Sequence, residues 1–224
     1  MTAPVSVIIA ALDEERSIAA AVESARAAGA AEVIVADGGS KDATARLAEE
    51  AGARVLRCEP FRARQFNRGA EAASNEYLIF LHADTVLPAN AAREVSAVLE
   101  NGVAFGGFRI SFIEQLARLR LAAFMINLRT SFTRCPWGDQ AQFIKRSLFL
   151  REGGFREMPL MEDYELAIRM KRQVKTKILR SRVRTSGRRF LRKGVLRTAA
   201  VNWRIIVAYR LGVDPARLAR LYRR

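Results

Sequence analysis

Asp84 ends an apolar run, Tyr77-Leu78-Ile79-Phe80-Leu81, with only His82 and Ala83 between. A run of that length, closed by the turn Val86-Leu87-Pro88, reads as a strand buried on both faces of a parallel sheet. Ligands bind at the carboxyl ends of such strands, where a metal ion or a diphosphate would sit. An unpaired buried carboxylate is unfavourable, so Asp84 calls for a cationic partner. Asp37 closes a second such run, Val33-Ile34-Val35-Ala36, and brings another acid to the same sheet edge. The Gly38-Gly39 pair behind it lets a planar ligand approach the backbone. Asp42 is explained at least as well as the start of the next helix.

Glu162-Asp163 opens a helix, where the dipole favours acids. Adjacent residues point about 100° apart on a helix, so both can hardly serve as caps. One is left to act as a base, its basicity raised by its neighbour. His82 is the only histidine in the chain. It either ligates a metal, favouring Mn²⁺ over Mg²⁺, or orients Asp84 by a hydrogen bond, the second being preferred. Trp137 is suited to stack on a sugar or acceptor, or to fill core. Asp139 and Gln140 supply hydroxyl partners if their loop lines the site. Gly107 allows a sugar ring onto its strand, although glycine pairs also mark bulges.

The elements that would position these residues alternate. Strands are expected at 5–10, 32–36, 54–56 and 77–82, with helices at about 17–28, 43–51 and 62–73. That order gives right-handed βαβ units and a mostly parallel sheet flanked by helices. No Gly-x-Gly-x-x-Gly follows the first strand, which disfavours dinucleotide binding, and no phosphate-binding Gly-x-x-x-x-Gly-Lys loop is present. After Glu100 the alternation lapses into a strand at 105–110, a helix at about 114–132 and a loop at 135–140. In the helix from Arg62, Arg64 and Arg68 share a face and Arg62 does not, so Arg64 is the expected functional arginine.

Charge divides the chain. Residues 1–168 hold 19 Lys/Arg and 22 Asp/Glu, whereas residues 169–224 hold 19 against Asp214 alone, within a total of +15. The expected layout is a catalytic domain over 1–186 and a basic helical extension over 187–224. In that extension Val195, Leu196, Ala199, Trp203, Ile206 and Val207 recur at helical spacing among cations. Such a helix suits an anionic membrane surface, or packs on the body or a second copy. Half the residues are hydrophobic, as in a globular protein, and Cys58 and Cys135 are too few for a disulfide framework. A cytoplasmic location, peripheral at the inner face of the membrane, is the expectation.

Val5-Ser6-Val7-Ile8-Ile9 with Leu12-Asp13-Glu14-Glu15, then Asp37-Gly38-Gly39-Ser40-Lys41-Asp42, His82-Ala83-Asp84-Thr85 and Met161-Glu162-Asp163, resemble the family 2 glycosyltransferases with their GT-A nucleotide-sugar fold. Arg62-Ala63-Arg64-Gln65-Phe66-Asn67-Arg68-Gly69, Trp137-Gly138-Asp139-Gln140 and Thr185-Ser186-Gly187-Arg188-Arg189 are similar to a compact bacterial branch found beside radical-SAM and arsenosugar genes. The resemblance implies a metal-dependent, inverting transfer from a nucleoside diphosphate sugar, most readily a UDP-sugar, to an acceptor hydroxyl that is soluble or lipid-linked. It implies that Asp13 or Glu14 contacts the base, Asp37 the base or ribose, and that Arg64 and Asn67 close over the nucleotide. Asp84 would hold Mn²⁺ or Mg²⁺, Asp163 would be the base beside Glu162, and Arg189 or Arg188 would face the leaving group. His82 stands where the family has the first acid of its Asp-x-Asp motif.

Two other classes fit parts of the sequence. The basic tail would serve a nucleic-acid-binding protein, but the body shows no recognised motif for one. A nucleotidyltransferase would need a glycine-rich phosphate loop after the first strand, and Ala10-Ala11-Leu12-Asp13 is not one.

Overall fold

The computed structural model describes residues 3–223. Strands β1 (Val5–Ala11), β2 (Glu32–Asp37), β3 (Arg54–Arg57) and β4 (Tyr77–His82) alternate with helices α1 (Ile18–Ala27), α2 (Thr44–Glu50) and α3 (Arg62–Ala72). These strands pair in parallel, in the order β3-β2-β1-β4. Their side chains divide by the period of two. Val5, Val7 and Ile9 enter one core while Ile8 enters the other, and Ile79 and Leu81 oppose Leu78 and Phe80 in the same way. Burial on both faces is why each strand reads as a continuous apolar run.

The second half departs from the parallel pattern. A two-residue strand β5 (Thr85–Val86) and helix α4 (Ala91–Glu100) lead to β6 (Phe105–Phe112) and the long helix α5 (Ala117–Thr133). A 3-10 turn at Gly138–Gln140 precedes β7 (Phe143–Lys145), then α6 (Arg146–Arg151), α7 (Glu162–Gln173) and β8 (Thr176–Thr185). Strand β7 runs antiparallel between β4 and β6, and β8 runs parallel to β6. These directions decide where the loops go. Because β7 is antiparallel, the loop entering it lies at the edge where β4 ends. Because β8 is parallel to β6, its last residue, Thr185, reaches that edge too.

Three helices close the chain: α8 (Arg188–Lys193), α9 (Val195–Arg210) and α10 (Pro215–Arg223). The apolar residues expected as one stripe on α9 divide between two sides. Val195 packs against the core under α1, α4 and α5 and Ile206 against the other core, beside Thr198 and Ile205, which lie outside the expected stripe and are buried. Leu196, Ala199 and Trp203 face solvent. The extension is therefore docked on the body along one side and exposed along the other.

Candidate active site

A cleft of about 310 Å³ opens at the carboxyl edge of the parallel strands, lined among others by Arg62, His82, Asp84, Trp137, Asp139 and Asp163. Asp84 lies just beyond β4, and its cationic partner comes from the far end of the chain. Arg188 Nη2 approaches Asp84 Oδ2 at 3.3 Å and also pairs with Glu14 at the end of β1. Burial pushes the Asp84 carboxyl above its ordinary range; Arg188 opposes that shift and Glu14 adds to it. Helix α8 thus places a guanidinium between two acids delivered by two parallel strands.

Helix α7 builds the facing wall. Its first residue, Glu162, is buried and ion-paired with Arg62, the first residue of α3. Its second, Asp163, reaches the cleft. Asp163 Oδ2 accepts the Gly138 N–H at 2.6 Å and Oδ1 accepts the Tyr164 N–H at 2.7 Å, so the carboxylate is held in one orientation. Position 138 tolerates only glycine, because a Cβ there would lie 2.6 Å from His82 Nε2 and 3.1 Å from Asp163 Oδ2.

The loop from Cys135 to Gln142 joins these walls. Gln140 is fully buried and accepts from Thr130 Oγ1, Trp137 N and Arg129 Nη2 while donating to the Phe108 carbonyl. Trp137 is covered by the Arg129 guanidinium, 3.6 Å from a ring centroid. Around this frame, polar atoms are left without partners. His82 Nε2, Arg129 Nε, Trp137 Nε1, Asp139 Oδ1, Gln142 Oε1 and Glu162 Oε2 are the buried side-chain atoms that no hydrogen bond satisfies among the described residues. All six sit in or against this loop and the cleft. Folded proteins seldom leave such atoms unpaired, and three of the six belong to residues that line the cleft, His82, Trp137 and Asp139, in keeping with a surface shaped for a polar ligand.

Electrostatics follow the same geometry. Burial first, then the Arg62 charge, pushes the His82 imidazole down to about 3 against the pull of Asp163, so it is uncharged at neutral pH. Burial pushes the Asp139 carboxyl up to about 6; Arg129 opposes this, and Asp163 and Asp84 reinforce it. The backbone is strained here as well. Of the four described non-glycine residues with positive φ, Asp13 lies in the turn after β1, Arg134 precedes the loop, Ala141 lies within it, and Met161 precedes Glu162. Strain of this kind, on the order of 1–3 kcal/mol per residue, collects at functional sites.

Several expected site residues lie elsewhere. Arg64 is exposed and paired with Glu59 and Glu157. Asn67 spends its amide on the Phe155 backbone, donating to O and accepting from N, both at 2.9 Å. The arginine of α3 that reaches the cleft is Arg62, since the start of the helix, and not one of its faces, abuts the sheet edge. Gly107 makes room for protein and not for a sugar: a Cβ there would lie 2.5 Å from Pro136 Cβ. Gln140 is consumed by the frame, and Glu162 Oε1 is paired with Arg62 while its Oε2 has no partner among the described residues. His82 Nε2 has no hydrogen-bond partner among the described residues, so it does not orient Asp84 there. Arg189 lines the cleft but its guanidinium lies 3.4 Å over the Tyr222 ring, so Arg188 is the cation at Asp84.

Asp13, Glu14, Asp37 and Gly38 come together in a second cluster at the ends of β1 and β2. Asp13 Oδ1 accepts Lys41 N at 2.8 Å, and Asp37 accepts the N–H groups of Gly39 and Ser40 and the Ser40 hydroxyl. Gly38 is crowded by Gln65 and Pro60, each 3.1 Å from where a Cβ would be. Thr44 N bonds Asp42 Oδ1 at 2.9 Å, in keeping with a turn-and-helix role for Asp42.

The glycosyl transferase family 2 model matches residues 6–198, a span that holds both acid-bearing walls and Arg188. The chain belongs to this family. No curated protein matches the sequence. Among solved structures, residues 1–349 of S. aureus TarS align with a TM-score of 0.66 at 15% identity, covering 88% of this chain and 65% of that one. TarS in complex with UDP-GlcNAc gives 0.66 at 14% identity, over 82% and 58% of the two chains. Glucosyl-3-phosphoglycerate synthase from Mycobacterium tuberculosis, with Mn²⁺, UDP and glucosyl-3-phosphoglycerate, gives 0.61 at 21% identity over 80% and 70%. The chain thus spans less than two thirds of the TarS structures it matches and shares their α/β GT-A fold.

Proposed function

We propose that this protein transfers a sugar from a nucleoside diphosphate sugar, with uridine as the nucleoside, to an acceptor hydroxyl with inversion at the anomeric carbon. The observation that carries this reading is the facing of Asp84 and Asp163 across one cleft, with Arg62 and Arg188 supplying positive charge along it. TarS with UDP-GlcNAc and the mycobacterial synthase with Mn²⁺ and UDP support the donor class. The Arg62–Gly69, Trp137–Gln140 and Thr185–Arg189 segments support placement in the compact bacterial branch associated with radical-SAM genes.

Asp84 fits a site for Mn²⁺ or Mg²⁺ that arrives with the donor. No three His, Cys, Asp or Glu side chains converge on an ion among the described residues. The other ligands would then be diphosphate oxygens and water, which suits a small hard cation, while the uncharged His82, with Nε2 free, favours manganese. When bound, such an ion supplies Lewis acidity to the leaving diphosphate. Arg188, held on Asp84 and Glu14, is positioned to stabilise the same negative charge. Asp13, Glu14, Asp37 and Gly38 would form the nucleoside end, and Trp137 and Asp139 the sugar and acceptor end. Asp163, fixed by two backbone N–H groups, takes the proton of the acceptor hydroxyl as its oxygen attacks.

Melting curves with uridine diphosphate and Mn²⁺ test the donor site. The melting temperature is expected to rise, as ligand linkage requires, and Asp84→Ala to abolish most of that rise. An equal rise in the variant removes Asp84 from the site. Product analysis tests the reaction: free nucleoside diphosphate and an inverted sugar are expected, and pyrophosphate or a retained configuration would overturn the proposal.

A further inference from the structure

Helix α5 is apolar on two sides. Leu119, Ala122 and Ala123 are buried against the body. Leu121, Phe124, Met125, Leu128 and Phe132 form a second stripe at i, i+3, i+4, i+7 and i+11, and all five are exposed, Phe132 at 81%. Helix α9 packs beside α5 and presents Leu196 at 85% exposure and Trp203 at 68%. Exposed apolar stripes of this extent are unusual on a monomer and mark an interaction surface.

The charge around the stripes identifies the partner. No Asp or Glu occurs from Gln115 to Gly138 or from Arg188 to Val213. The exposed cations in the two segments include Arg118 and Arg120 on α5, Arg192 before α9, and Arg197 and Arg204 on it. A two-fold pairing of this face with a second copy would set these arginines against each other. Nucleic acid would use the charge but not the aromatic and aliphatic side chains between. An anionic lipid surface uses both. No described helix is long and apolar enough to cross a membrane, so the contact would lie in the interface plane.

We propose that α5 and α9 together form a docking face for an anionic lipid bilayer. The inner sides of the same two helices wall the cleft, through Ile126 on α5 and Thr198, Asn202, Ile205 and Ile206 on α9. Docking would therefore set the cleft wall against the membrane. Resting on the transferase reading, this favours an amphiphilic acceptor whose hydroxyl is presented from the lipid.

Vesicle co-sedimentation of the full chain tests the docking without reference to activity. Vesicles of phosphatidylcholine mixed with phosphatidylglycerol are expected to bind at least about tenfold more protein than phosphatidylcholine alone. The double variant Phe124→Ser, Phe132→Ser should lose about tenfold of that binding at unchanged melting temperature, since both side chains are exposed. Arg118→Glu with Arg120→Glu should erase the preference for the anionic vesicles. Undiminished binding by the phenylalanine variant would reduce the effect to charge alone and overturn the proposal. So would a wild-type protein that ignores both vesicles, or one that light scattering shows as a dimer which the phenylalanine variant dissociates.

Discussion

Two aspartates at this sheet edge, the buried Asp37 and the half-buried Asp139, show how differently the two sides of this site are built. Asp37, at the end of β2, receives two backbone N–H groups and a hydroxyl from the turn that follows it. Asp139, in the loop before β7, has a buried oxygen with no partner and a carboxyl pushed up to about 6 by burial. The turns after β1 and β2 are satisfied internally, stitched together through Asp13, Ser40 and Lys41. The half beyond β4 carries three of the four positive-φ non-glycine residues and five of the six unpaired buried polar atoms among the described residues, the sixth being His82 Nε2 at the end of β4. The difference teaches where stability was given up: at the surface that would meet sugar and acceptor, and not at the proposed nucleoside end.

The largest effect should come at the orphaned side. Asp163→Asn preserves shape and should leave uridine diphosphate binding intact while turnover falls on the order of a hundredfold or more, as for loss of a general base. Steady-state kinetics beside a thermal-shift titration check this. Near-normal turnover would transfer the role of base to Glu162, whose Oε2 is unpaired, or to water.

Asp139→Asn should act in the opposite direction on stability. Its folded pKa, about 6, lies above the ordinary 3.8, so the native state holds this proton more tightly than the unfolded chain does. The stability this supplies is complete below about pH 4 and is lost as the pH rises through 6. The span corresponds to roughly 3 kcal/mol. Denaturant melts should show the variant stabilised at pH 7.5, by up to about that amount, with a flatter profile between pH 4 and 7. Activity should fall as stability rises. A destabilised variant would mean that Asp139 is satisfied and that the contrast with Asp37 is wrong.

At the satisfied side the same kind of change should do harm. Asp37→Ala strips three donors of their acceptor and should cost about 2 kcal/mol in the same melts. A neutral result would place ligand binding, and not the turn, as the reason for Asp37. The smallest expected effect lies at the edge of the loop. Arg134 closes α5 in the left-handed region at φ 53°, where glycine is the relaxed residue. Arg134→Gly should stabilise by about 0.5–1 kcal/mol without changing turnover, and a loss of stability would show that the Arg134 side chain contributes more than its backbone strain removes.

The amino-acid sequence by itself determined the order of β1, α1, β2, α2, β3, α3 and β4, and the delivery of Glu14, Asp37 and Asp84 to one edge. Strands buried on both faces announce themselves as apolar runs, and the acid that ends each run is then fixed in place by local geometry. The pair of acids opening α7 was legible for a similar reason, although the choice of Asp163 within it rested on the family resemblance and not on the residues alone. Tertiary structure decided everything that depends on which distant segment supplies a partner. Arg188 meets Glu14 across 174 positions, and Arg62 meets Glu162 across 100. No periodicity encodes such pairings, so the face-sharing of Arg64 and Arg68 pointed away from Arg62, and Arg188 could not be told from Arg189. The same holds for satisfaction: Asp37 and Asp139 are both aspartates beside glycine, and only the packing around them shows which oxygen found a donor. Helix α9 gave up its single stripe for that reason too, because a helical repeat states which residues share a face but not what that face will meet.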